Sequence, residues 1–133
     1  MPARKDPVLT GDRFTIELDG GATMFLAGFS FPSATIEPAG RAAKARYGPA
    51  VLRRSLSSDK LFSDWWKLAL TGNPSAAKNG KVSLLGTDLR VAAVWKFTGA
   101  VPTMLTFSTL DASTASVVME TLELTVQSFE RDS

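Results

Sequence analysis

A period of two runs through most of this chain, and one short segment breaks it. In "RFTIEL", residues 13–18, Phe14, Ile16 and Leu18 fall on one side and Arg13, Thr15 and Glu17 on the other, the alternation of a strand with one face buried. "VVMETLELTVQSFE" repeats the pattern near the other end, with Val118, Leu122, Leu124 and Val126 facing one way and Met119, Thr121, Glu123, Thr125 and Gln127 the other. Between them, "LFSDWWKLAL" places Leu61, Trp65 and Leu68 at i, i+4 and i+7, beside Phe62, Trp66 and Ala69, while Lys60, Asp64 and Lys67 stay on the wet side. The pattern predicts a mainly β chain, an antiparallel barrel or sandwich with one flanking α-helix at about residues 58–71. The helix must bury its apolar face on the sheet, covering an open end or face. Each large ring buried there contributes roughly 2 to 3 kcal/mol.

The 133 residues suffice for one domain, 1–133, with residues 1–12 as an irregular N-terminal arm. "DGG", residues 19–21, turns the first strand into "TMFLAGFSF", in which Gly28 marks a bulge or a close backbone approach. "SATIE" reads as a third short strand closed by Pro38, residues 39–48 as an exposed loop, and "PAVLRRSL" as a strand to about Leu56. The helix has Ser57 or Ser58 as N-cap, Asp59 at the positive end of its dipole, and Gly72 where a left-handed C-terminal residue is wanted. "KVSLL" and "LRVAAVWKFTGAV" flank the turn "GTD" as a second hairpin, with Trp95 and Phe97 as core candidates. Pro102 breaks that run, "TMLTF" is a further short strand, and "LDASTAS" a loop.

The residue inventory removes much chemistry. Without cysteine or histidine there are no disulfides, thiolate nucleophiles, Cys/His zinc sites or histidine-based triads. "SSDK" fits the Ser-x-x-Lys pattern of penicillin-recognising enzymes, but its companion motifs are missing and helix capping explains the serines. Asp12, Glu17 and Asp19 read as solvated strand and turn positions rather than a metal or acid–base cluster. Gly20–Gly21 is too short for a phosphate loop. No run of about 18 apolar residues exists, and the N-terminus lacks a signal-peptide core. The expectation is a non-enzymatic protein without cofactor or metal, made in the cytoplasm, with no membrane insertion.

Net charge is only +2, but it is unevenly spread. Pro38 to Arg54 holds Arg41, Lys44, Arg46, Arg53 and Arg54 with no acid, whereas Asp111 to Ser133 holds Asp111, Glu120, Glu123, Glu130 and Asp132 against Arg131. Such patches meet on neighbouring copies, making rings if the rotation closes and columns if it does not. The candidate inter-subunit residues are Arg41, Lys44, Arg46 and Tyr47 on the positive side and Asp111, Glu120, Glu123 and Glu130 on the negative side. A competing reading is a monomeric barrel that binds single-stranded nucleic acid or a small ligand, with the basic segment as its mouth and Tyr47 stacking on a base.

The order of segments resembles the tail tube family of contractile phages and contractile injection systems, relatives of the haemolysin-coregulated tube proteins of type VI secretion. "RFTIELDGG…LAGFSF" is similar to the family's opening hairpin, "RYGPAVLRRSLSSDKLFSDWWKLALTG" to its basic strand and Leu-Phe-x-x-Trp helix, and the stretch from "VAAVWKF" to "LELTVQSFER" to its C-terminal third. The resemblance spans residues 13–131. It implies a barrel or sandwich with one helix, assembled as hexameric rings stacked into a hollow inner tube that passes DNA or effectors. The implied partners are further copies, a sheath, and baseplate or terminator proteins, in a virion tail or phage-like particle. A tube-initiating or baseplate adaptor of the same fold is the alternative. Between Phe31 and Tyr47 the family has a longer acidic, Gly-rich excursion that interlocks subunits; here it is short, Ala-rich and basic.

Overall fold

The computed structural model describes residues 11, 13–21, 23–39, 42–109 and 117–132. Strands β1 (Arg13–Leu18), β2 (Thr23–Leu26), β3 (Gly28–Ser30), β4 (Ala34–Ala39), β5 (Ala42–Tyr47) and β6 (Ala50–Ser55) precede helix α1 (Leu61–Leu70). A short 3-10 turn at Pro74–Ala76 leads into β7 (Lys78–Leu85), β8 (Val91–Phe107), β9 (Met119–Thr125) and β10 (Ser128–Arg131).

The main sheet runs β2-β1-β7-β8-β9-β6-β3, with every pairing antiparallel. Its two ends, β2 and β3, are consecutive in the chain and separated by Ala27 alone, so the sheet closes into a barrel. The Ala27 N–H donates to the Arg53 carbonyl at 2.7 Å, carrying the strand from one wall to the next. The break thus falls one residue before Gly28, whose position has no crowding that would demand a glycine. Long β8 serves both walls: Val91–Ala100 pairs with β7, and Val101–Phe107 pairs with β9. Pro102 does not end this strand. It lies just past the last β7 pair, at the irregularity between Pro102 and Met104, where a missing N–H costs little.

Inward residues follow the alternation. Ile16, Leu18, Met24, Leu26, Ala50, Leu52, Val82, Phe97, Ala100, Leu122 and Leu124 form the core together with Phe62 and Trp65 of α1. The helix therefore plugs the barrel end marked by Leu18 and Lys78. Trp65 is buried and its Nε1–H donates to the Ala76 carbonyl at 2.7 Å, whereas Trp66 is only half-buried on the helix flank. Gly72 closes the helix at φ +71°, with Gly72 N–H donating to Ala69 O and Asn73 N–H to Leu68 O, the paired bonds of a Schellman end. The start differs from expectation: the helix begins at Leu61, and Asp59 rather than Ser57 or Ser58 accepts its first N–H, from Leu61 at 3.1 Å.

The opposite end of the barrel is filled by aromatic rings. Phe14, Phe29, Trp95 and Phe129 have inward register, and Phe31 caps them, lying 4.7 Å from Trp95 and 4.8 Å from Phe29 between centroids. Such edge-on and tilted contacts add about 0.5 to 1.5 kcal/mol per pair beyond area burial. Trp95 belongs to this half-buried cap rather than to the central core, which Phe97 joins.

Candidate assembly interface

The short strand expected before Pro38 is present as β4, and the segment expected to be a loop supplies its partner β5, so that the two form a ribbon. β4 and β5 pair with each other in a separate two-stranded sheet, Ala34↔Tyr47 through Ala39↔Ala42, and its base is closed by Gly48 N–H on the Ser33 carbonyl at 2.9 Å. The sequence hid it because alanines carry little β signal and Pro38 sits inside β4; an edge strand tolerates such a proline. Alternation sorts its side chains into two faces. Thr35, Glu37, Lys44 and Arg46 share one; Ala34, Ile36, Pro38, Ala43, Ala45 and Tyr47 share the other. Residues 34–38 and 43–46 are exposed, Ile36 at 75%. A two-stranded ribbon with an uncovered apolar face is marginal alone and is stabilised by a partner surface.

The charged face is partly self-compensated. Arg46 and Glu37 form an ion pair in which both side chains are at least half exposed, and Lys44 stands opposite Glu37. Tyr47 lies across the strand pair from Lys44 and Arg46, on the apolar face. Glu123 points outward between Val51 and Met104, and Glu130 is exposed opposite Lys96, which also pairs with Asp132 at 3.4 Å. Arg41 and Asp111 lie outside the described residues.

Glu120 corrects the expectation of a surface acid. It is 2% exposed, and its Oε1 accepts Arg54 Nε at 2.6 Å. The two are cross-strand partners on the inward side of β6 and β9. Arg54 also donates from Nη2 to Asp59 Oδ1 at 2.6 Å and from Nη1 to Asp59 Oδ2 at 3.2 Å, and lies 4.5 Å from the centre of the Phe62 ring. Burial alone pulls the Arg54 pKa down, but the hydrogen bonds and charges of Asp59 and Glu120 outweigh it and raise the net value. The Arg54 hydrogen bond, helped by the Leu61 N–H, holds Asp59 down at about 2. This cluster ties the helix start to the barrel wall and is spent inside the chain. The signal for it was in the alternation: Ala50, Leu52 and Arg54 share parity, as do Glu120, Leu122 and Leu124.

Beside α1, Leu18, Leu61, Trp65 and Leu68 line a groove of about 320 Å³ whose other lining residues are Asp19, Gly20, Asp64 and Lys78. Among the described residues no cluster of three Asp or Glu side chains could hold a metal ion, and no helix is long and apolar enough to cross a membrane.

A closed β-barrel capped by one helix, with a separate amphipathic two-stranded ribbon, defines the class: a small antiparallel β protein. The chain belongs to the T4-like virus tail tube protein gp19 family, whose profile matches residues 13–130. Three solved structures illustrate the likeness. The PVC sheath-tube complex of an extracellular contractile injection system, in its extended state, gives a TM-score of 0.67 at 16% identity, covering 96% of this chain and 92% of that one. The tube-terminating cap of the anti-feeding prophage gives 0.69 at 19% identity, covering 100% and 95%. Hcp1 from Flavobacterium johnsoniae gives 0.63 at 14% identity, covering 90% and 99%. At these identities the likeness establishes the fold. No curated protein shows significant sequence similarity to the chain.

Proposed function

We propose that this chain is the repeating subunit of the inner tube of a contractile phage tail or phage-like injection system, closing into hexameric rings that stack around a channel for DNA or effectors. It acts through geometry and not through catalysis, and its partners are further copies, a sheath, and baseplate or terminator proteins. The observation that carries this reading is the amphipathic ribbon left uncovered on a closed barrel in a chain of the tail tube family. A similar anti-feeding prophage baseplate is described as six-fold symmetrised, which supports the ring number. Aromatic cap and plugging helix both seal the barrel, so the channel runs between subunits and not through one.

A ring adaptor of the same fold is the second reading, favoured by the tube-terminating cap and by the PVC sheath/tube terminator, whose TM-score is 0.70. Negative-stain electron microscopy over a concentration series, with light scattering for mass, tests both. Hollow columns support the repeating subunit, and lone six-fold rings the adaptor. A strict monomer at every concentration overturns both and turns attention to salt-dependent oligonucleotide binding.

A further inference from the structure

Among the described residues, Leu89 is the one non-glycine with positive φ, at +65°. It ends the three-residue loop between β7 and β8: the Leu89 N–H donates to the Gly86 carbonyl and the Gly86 N–H to the Arg90 carbonyl, both at 2.9 Å. Such a loop is a turn followed by a left-handed residue, a position where glycine is free of strain and a leucine is not. Burial does not compensate the leucine. It is 55% exposed, and Val91, two residues on, is 58% exposed. A strained backbone that holds an apolar side chain out in water points to a contact outside the chain. We propose that Leu89 at the β7–β8 tip inserts into the groove beside α1 of a second copy, one ring further along the tube. The proposal rests on the tube reading above and adds which surfaces meet end to end.

The two surfaces match in chemistry. The groove has Leu18, Leu61, Trp65 and Leu68 as its apolar lining and Asp19, Asp64 and Lys78 as charged neighbours, the centre-and-rim arrangement of protein contacts. The tip brings Arg90 and Asp88 on either side of Leu89, their side chains 88% and 63% exposed. With Leu89 seated, Arg90 is offered to the two carboxylates and Asp88 to Lys78. The leucine supplies the adhesion and the charges set the register. The surfaces also match in position. β7 begins at Lys78, which lines the groove, and ends at Leu85, just before the tip. Its eight residues span roughly 26 Å, so a tip cannot reach its own groove. Each copy therefore gives at one end of β7 and receives at the other, a heterologous contact that extends as a column.

Leu89→Gly separates the contact from the fold. Glycine relieves the left-handed strain, so in dilute, unassembled solution the variant should melt roughly 3 to 5 °C above wild type. At concentrations where negative stain shows wild-type columns, the same variant should give lone rings. A purely structural role for Leu89 does not combine a higher melting midpoint with lost columns. Columns of wild-type length from Leu89→Gly, or a midpoint that falls, overturn the docking site and leave self-assembly standing, as does a wild type that forms rings but never columns. A strict monomer for the wild type overturns both. The absence of cysteine allows a second measurement. Leu89→Cys/Leu68→Cys treated with a short bifunctional maleimide should give a covalent ladder beyond the dimer. Leu89→Cys/Met104→Cys, with Met104 exposed on the barrel wall, should not, and equal ladders from the two refute the proposal.

Discussion

Glu120→Gln tests whether the buried charge cluster holds the barrel together as the geometry implies. The substitution preserves shape but leaves the Arg54 guanidinium, whose side chain is 5% exposed, with Asp59 as its one remaining anionic partner. Breaking a buried pair by removing one partner costs about 3 to 5 kcal/mol, and the lower end applies because Asp59 still holds two guanidinium nitrogens. At about 3 to 5 °C per kcal/mol for a domain of this size, the melting midpoint falls by roughly 10 to 15 °C. The companion variant Arg54→Met/Glu120→Leu removes both charges and is expected within about 1 kcal/mol of wild type, since apolar residues of similar volume often replace buried pairs at little cost. Urea denaturation of Arg54→Met, Glu120→Leu and the double completes a mutant cycle. A loss below about 0.5 kcal/mol for Glu120→Gln, or a double variant whose loss is the sum of the singles, refutes the reasoning.

Two further outcomes are expected. Trp65→Phe deletes the 2.7 Å bond to Ala76 and part of the plug, and should lower stability by about 2 to 3 kcal/mol in the same denaturation assay. Asp59 is held at about 2 against an ordinary 3.8, so its contribution is fully present above the unfolded value and is lost as pH falls through the folded one. Asp59→Asn should therefore be less stable than wild type at pH 7, and melts recorded downward from pH 4 toward pH 2 should show the gap narrowing. A gap that holds constant across that range counts against the linkage.

The strand alternation was enough to mark β1 and β9 with their buried faces, because a half-buried strand repeats every two residues whatever it packs against, and β6 was legible as a strand. The helix and its Gly72 end were equally legible, since both the 3.6-residue stripe and the left-handed stop are local. The sequence order of segments also carried the family. What it could not reveal was which strand meets which. Parity places Arg54 and Glu120 on inward faces, but they are 66 residues apart, and that they pair is decided only when β6 and β9 are brought into register. Pro102 looked like a stop until β8 lost β7 as a neighbour beside it. The β4–β5 ribbon was obscured by alanine and proline, residues whose strand preference is decided by pairing rather than by themselves. Local periodicity thus determined the helix and the alternating strands, while barrel closure, through contacts distant in sequence, decided which charges are spent inside and which apolar face is left to meet another molecule.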